Sequence, residues 1–223
     1  MIKAIIFDFD GTLIDTETAW YVAFREAYEQ HGVDLTLEQY SQCIGTSLHS
    51  FNPYEYLVAE LHLPVDLDAL RTWVRQRHAS LMEVEGVRPG VIEWLTLAQR
   101  RGLKIGLASS SANEWVTHFL DRLGLRAYFE CIRTADNVKH VKPDPELYLQ
   151  ALSCLGVEPG EALAVEDSPN GAKAAVAAGM QCVLVPNAIT KLLPFGDVHH
   201  RADSLQDVNL DDLIMAGSRS RGQ

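Results

Sequence analysis

The segment Phe7-Asp8-Phe9-Asp10-Gly11-Thr12 sets two carboxylates one residue apart, directly after the apolar run Ile5-Ile6-Phe7. On an extended strand, alternation sends Asp8 and Asp10 to the same side, where they repel. Three further polar clusters follow apolar runs or open helices: Ser109-Ser110-Ser111, Lys142 in Val141-Lys142-Pro143-Asp144-Pro145, and Glu166-Asp167. If these four places converge, four carboxylates share one small volume, and they cannot all stay ionised without a cation. A hard divalent ion resolves the conflict. Mg²⁺ suits it, because it takes oxygen ligands from few protein groups and leaves room for water and phosphate oxygens. No histidine or cysteine joins the set, which speaks against zinc. Acids, hydroxyls and one ammonium around an anion suit phosphoryl transfer, where positioning and charge neutralisation do most of the work. One acid, Asp8, can attack phosphorus. The other, Asp10, can protonate the leaving alkoxide and then deprotonate water.

For these residues to meet, the elements that carry them must bring four strand ends to one edge. Residues 2 to 7 read as a short buried strand, and Gly11 supplies the freedom of a tight turn. From Thr18 to His31 the apolar spacing turns helical, and stretches near 35 to 44, 53 to 61 and 66 to 82 read as further helices, with no buried strand between 17 and 84. After Val87-Arg88-Pro89-Gly90 helix and strand alternate. Strands are expected at 104 to 108, 129 to 133, 163 to 165 and 182 to 185. Helices are expected up to Gly102, at 113 to 123, from Asp144-Pro145 onward and at 171 to 178. The fold class is therefore α/β: a parallel sheet covered on both faces, interrupted after its first strand by an all-helical insertion. The expected domains are an α/β core of 1 to 16 and 87 to 216, a helical cap of 17 to 86, and a disordered tail of 217 to 223. Parallel α/β sheets place their chemistry at the carboxyl ends of the strands, which is where the four clusters fall.

With these motifs in this order, the chain resembles the haloacid dehalogenase superfamily of phosphohydrolases, in its β-phosphoglucomutase-like subgroup with a helical cap inserted after the first motif. The matching stretches are Asp8-Phe9-Asp10-Gly11-Thr12, Ser109 closing Lys104-Ile105-Gly106-Leu107-Ala108, Lys142, and Glu166-Asp167 in Ala164-Val165-Glu166-Asp167-Ser168-Pro169-Asn170-Gly171. The resemblance implies an aspartyl-phosphate on Asp8, with Asp10 as acid and base and its backbone carbonyl as a metal ligand. It implies that Ser109, Ser110 and Lys142 hold the transferring phosphate and that Asp8, Glu166 and Asp167 hold Mg²⁺. The founding dehalogenase chemistry is disfavoured, because it lacks the second acid that Asp10 supplies here. Two positions depart from the sugar-phosphate mutases of the subgroup: Trp20 stands where they have a histidine, and Leu48 where they have an arginine. A phosphatase acting on a small phosphorylated metabolite, such as a sugar phosphate, is therefore favoured over a phosphosugar mutase. Thr16, Trp20, Gly45, Thr46, Ser47, Ser111 and Asn113 are candidates for substrate contact, with Arg75, Arg77, His78 or His49 of the cap as further ones. A receiver-like signalling module, which also phosphorylates a strand-end aspartate, fits less well because it has no helical insertion.

Bulk properties read as those of an ordinary soluble globular protein. The 223 residues are 47% hydrophobic, enough for a packed core, and the formal charge of −11 offers no surface to nucleic acid or an anionic membrane. No stretch approaches the roughly 20 apolar residues that span a bilayer, and a cytoplasmic monomer is expected. Cys43, Cys131, Cys154 and Cys182 show no metal-binding spacing and read as separate reduced thiols. Ser111 taken alone reads as a helix N-cap, the four tryptophans as packing residues, and the scattered histidines as solvated or structural.

Overall fold

The computed structural model describes residues 1–43 and 51–219, with side chains through 215. The chain divides into two compact units: residues 1–14, 86–186 and 194–223 form one, and residues 15–85 with 187–193 form the other.

In the first unit, six strands of the described residues make one sheet in the order β3-β2-β1-β4-β5-β6. They are β1 (Ala4–Phe7), β2 (Lys104–Ala108), β3 (Cys131–Arg133), β4 (Ala162–Glu166), β5 (Gln181–Leu184) and β6 (His200–Arg201), and every pairing is parallel. All four residues of β1 are buried, as a strand covered on both faces requires. Ile6 lies on the face packed by Leu147, Tyr148, Ala151, Leu152 and Leu155 of α7 (Glu146–Leu155) and by the alanines of α8 (Pro169–Ala177). Its neighbours Ile5 and Phe7 alternate to the opposite face, where Phe7 meets Phe129 edge-on at 6.4 Å. Helix α5 (Val91–Arg100) packs on β2, and α6 (Asn113–Arg122) follows that strand.

The chain runs outward from β1 to β2 and β3, then returns to place β4 on the other side of β1. The strand order therefore reverses between β1 and β4, the point at which open α/β sheets bind their ligands, outside the carboxyl ends of the strands. Phe7 pairs with Val165 in register, so the next residues, Asp8 and Glu166, leave neighbouring strand ends together.

The second unit is helical: α1 (Thr16–Glu29), α2 (Leu37–Ser41), α3 (Pro53–Glu55) continuing into a π-helical turn at Tyr56–Glu60, and α4 (Leu67–Val84). Ala23, Phe24, Ala27 and Tyr28 of α1 share a core with Leu57, Leu70 and Val74, and the Tyr28 hydroxyl donates to the Pro53 carbonyl at 2.7 Å. Asp15 and Asp66 cap α1 and α4 by accepting backbone N–H groups.

Four features differ from expectation. Residues 187–193 belong to the helical unit, with Ile189 in its core, although they are far from its other residues in sequence. The two-residue strand β6 is too short to leave an alternating pattern. Residues 217–219, expected in a disordered tail, are the end of α9 (Leu210–Arg219), whose buried Leu210 and Leu213 give it an apolar side. Cys131 and Cys154, expected as separate thiols, are joined in a disulfide, because β3 and α7 bring together side chains 23 positions apart. Cys43 and Cys182 are free thiols, and burial raises the pKa of Cys43 to about 12 and that of Cys182 still further. No helix among the described residues is long and apolar enough to cross a membrane.

Candidate active site

Asp8 follows β1, and its backbone N–H still pairs with the Val165 carbonyl at 2.9 Å, so the strand ladder fixes where its side chain starts. Gly11, with φ of 81°, turns the chain sharply after Asp10. The Arg88 guanidinium holds this turn by donating to the Gly11 carbonyl and to those of Val185 and Pro186 at 2.9 and 3.1 Å.

Asp8, Glu166 and Asp167 are 6%, 0% and 2% exposed, so three carboxylates are taken almost wholly out of water. Each offers a ligand oxygen, and these atoms lie within 4.8 Å of one another. The Lys142 ammonium sits among them, donating to Asp8 Oδ1 at 2.5 Å and to Glu166 Oε1 at 2.6 Å. Burial alone would lower the pKa of Lys142. The charges of Asp8 and Glu166 outweigh it and hold the ammonium above its ordinary range. Burial likewise pushes the Glu166 carboxyl up to about 7, against the pull of Lys142. Three buried carboxylates against one ammonium leave an excess of negative charge, and the donors are all hard oxygens. This donor set fits a hard divalent cation.

Two residues that the sequence did not single out shape this cluster. The Tyr148 hydroxyl, fully buried on α7, donates to Glu166 Oε1 at 2.5 Å, and the Lys142 ammonium lies 4.9 Å from the Tyr148 ring centroid. Gly171 on α8 leaves the space that the Glu166 carboxylate fills, since a Cβ there would stand 1.9 to 2.1 Å from its atoms. A tyrosine in an apolar helix reads as core, and the glycine after Ser168-Pro169-Asn170 reads as the first residue of a helix. Neither pattern announces a partner on another strand.

Asp10 turns its side chain elsewhere. Its Oδ2 accepts from Ser111 Oγ at 2.6 Å and from Ser109 Oγ at 3.4 Å, and its Oδ1 accepts from the Trp115 indole N–H at 2.9 Å. The ligand role the resemblance gives Asp10 concerns its backbone carbonyl, so the two are compatible. Ser109 is buried at the end of β2 and also accepts from the Ser111 N–H at 3.0 Å, while Ser110 is exposed. Ser111, a candidate for substrate contact that taken alone reads as a cap, donates to Asp10, and Trp115, expected as packing, makes a polar contact. The Asn113 N–H is already bonded to Asp136 Oδ2 at 2.6 Å.

In the helical unit, Thr16 is buried at the start of α1, and Trp20 stacks on His78 with ring centroids 3.7 Å apart. Arg77 is bound to Glu26 through two hydrogen bonds of 2.6 and 2.9 Å, and His78 is buried, so both serve the unit's own packing; Arg75 is exposed. Gly45, Thr46, Ser47, Leu48 and His49 lie outside the described residues.

Comparison with known proteins places this geometry in a lineage. The family model described as haloacid dehalogenase-like hydrolase matches residues 5–185. The candidate phosphatase YhcW of Bacillus subtilis is 49% identical over 214 residues, covering 96% of this chain and 97% of the relative. A phosphorylated carbohydrates phosphatase of Thermotoga maritima is 33% identical over 180 residues, covering 80% and 82%. Among solved structures, CbbY from Rhodobacter sphaeroides in complex with phosphate is similar with a TM-score of 0.68 and 30% identity, covering 92% of this chain and 95% of that one. By its family model, its relatives and its sheet, the chain belongs to the haloacid dehalogenase-like hydrolases and is a phosphomonoester hydrolase of that family.

Proposed function

We propose that this chain is a Mg²⁺-dependent phosphatase that hydrolyses a small phosphorylated carbohydrate, or a similar phosphomonoester, through an aspartyl-phosphate on Asp8. The observation that carries the reading is the buried cluster of Asp8, Glu166 and Asp167, with the Lys142 ammonium bonded to the first two. Asp8, Glu166, Asp167 and the Asp10 carbonyl would hold the metal, which when bound neutralises phosphate oxygens and the excess carboxylate charge.

The chain's own groups divide the reaction. A carboxylate oxygen of Asp8 attacks phosphorus as the bond from phosphorus to the leaving oxygen breaks, and Asp10 gives its proton to that oxygen. Water then attacks the phosphoryl group, Asp10 takes up the water's proton, and the Asp8 carboxylate and inorganic phosphate are released. Lys142 and the Ser109 hydroxyl hold the phosphate, with backbone N–H groups near Asp10 and Ser110 beside them. Residues 17 to 86, read from the sequence as a cap, carry the remaining candidates for substrate contact.

The phosphatase reading gains over a mutase because Trp20 and Leu48 stand where the sugar-phosphate mutases of the subgroup have a histidine and an arginine. We place the enzyme in the cytoplasm as a monomer. The test is phosphate release from a panel of phosphorylated metabolites with Mg²⁺. Asp8→Asn should abolish release and leave the thermal midpoint close to that of the parent. Substantial turnover by that variant would rule out the covalent route.

A further inference from the structure

The carboxylate of Asp10 is gripped on both oxygens, and one of the two grips comes from a residue whose type promises only packing. Trp115 is the third residue of α6, and its indole N–H reaches Oδ1 at 2.9 Å while Ser111 Oγ donates to Oδ2 at 2.6 Å. The indole is itself braced: Phe119, one helical turn on, meets it edge-on at 4.5 Å, and the Arg122 guanidinium lies 4.6 Å from the Phe119 centroid. Residues 115, 119 and 122 follow the spacing that stacks side chains along one face of a helix.

We propose that Trp115 is a positioning residue for Asp10, fixing the orientation of the acid that serves the leaving group. The proposal rests on the reading of Asp10 as acid and base. Asp10 is only partly buried, so without a brace its carboxylate would swing between solvent and site. An indole N–H donates and cannot accept. It therefore marks Oδ1 as a permanent acceptor, and leaves Oδ2, which faces the Ser111 and Ser109 hydroxyls, as the oxygen that carries the proton. The Ser111 hydroxyl can turn, donating to Oδ2 when it is bare and accepting from it when it is protonated. In the first half-reaction the Oδ2–H bond breaks and an O–H bond forms on the leaving oxygen. In the second, a proton of the attacking water returns to Oδ2. Because Ser109 lies 3.4 Å from Oδ2, the proton is held beside the residue assigned to the transferring phosphate.

Trp115→Phe keeps an aromatic ring against Phe119 and removes the N–H. With the Mg²⁺-loaded enzyme, kcat/KM is measured over phosphomonoesters whose leaving groups range from alkoxides to p-nitrophenolate. The first step needs an acid only when the leaving group is a poor one. The variant should lose roughly 10- to 100-fold with alkyl phosphates, with KM within about twofold of the parent, and lose less than about threefold with p-nitrophenyl phosphate. An equal loss across leaving groups, or no loss, overturns the proposal. A second measurement does not depend on that variant folding: of the four tryptophan indole N–H resonances, one should shift when Asp10→Ala removes its acceptor. Four unmoved resonances overturn it as well. Asp8→Asn separates the two claims. If that variant is inactive and Trp115→Phe behaves like the parent, the covalent reading stands and only the role of Trp115 falls; if Asp8→Asn stays active, both fall.

Discussion

Lys142 is the residue on which the balance of charge in the site turns. Its ammonium, with a side chain only 5% exposed, is shared between Asp8 and Glu166, whose side chains are 9% and 0% exposed. Removing one partner of a buried ionic group leaves the others without compensation, at a cost of roughly 3–5 kcal/mol. Lys142→Ala should therefore lower the stability of the metal-free protein by about that amount in urea unfolding, and lower phosphate release at least about 100-fold. A variant with parental stability would mean that the two carboxylates find other relief. The acids themselves were legible in the sequence, because a carboxylate at the end of an apolar strand is conspicuous. Tyr148 and Trp115 were not, since their rings satisfy the same packing pattern whether or not the hydroxyl or N–H has a polar partner.

At the scale of elements, helix α8 and helix α4 each make a prediction. Gly171 sits where a Cβ would overlap the Glu166 carboxylate, and that carboxylate cannot retreat while Lys142 and Tyr148 hold Oε1. Alanine favours the helix, so Gly171→Ala should leave α8 folded, yet weaken Mg²⁺ binding by at least about tenfold in isothermal titration. On α4, burial pushes the His78 imidazole down to about 4, with a hydrogen bond to the Thr16 backbone pulling the other way. The folded pKa lies below the ordinary 6.5, so the folded state rejects the proton. The associated stability is present above pH 6.5 and is lost as pH falls toward 4. Between pH 7.5 and 5 the cost should be about 2 kcal/mol, read by urea unfolding. His78→Phe preserves a ring against Trp20 and should flatten that slope; an unchanged slope would place the acid sensitivity elsewhere. The helices were legible because capping acids such as Asp66 and apolar spacing are local signals. The two-residue β6 and the bridge between Cys131 and Cys154 were not, because neither has a local pattern.

For the whole molecule, the metal should act as a folding ligand, since its candidate donors come from positions that the chain brings together only when folded. A ligand bound only to the native state stabilises it by about 2.7 kcal/mol at 100 times its dissociation constant. Mg²⁺ should raise the urea midpoint of the parent accordingly, and Asp167→Asn should remove most of that gain. An equal gain in the variant would move the metal away from this cluster.

The sequence by itself determined the chemistry: acid pairs, hydroxyls and a lysine, each ending or opening an element, with types that suit phosphoryl transfer and an order that suits one family. Those are local facts, written by residue type and spacing. Tertiary structure alone decided which groups touch. The reversal of strand order between β1 and β4 sets Asp8 beside Glu166. The course of α6 brings Trp115 to Asp10 across 105 positions of sequence. The packing of α8 on β4 makes a cradle of Gly171. Contacts between side chains on different elements depend on how whole faces pack, and no local pattern encodes that.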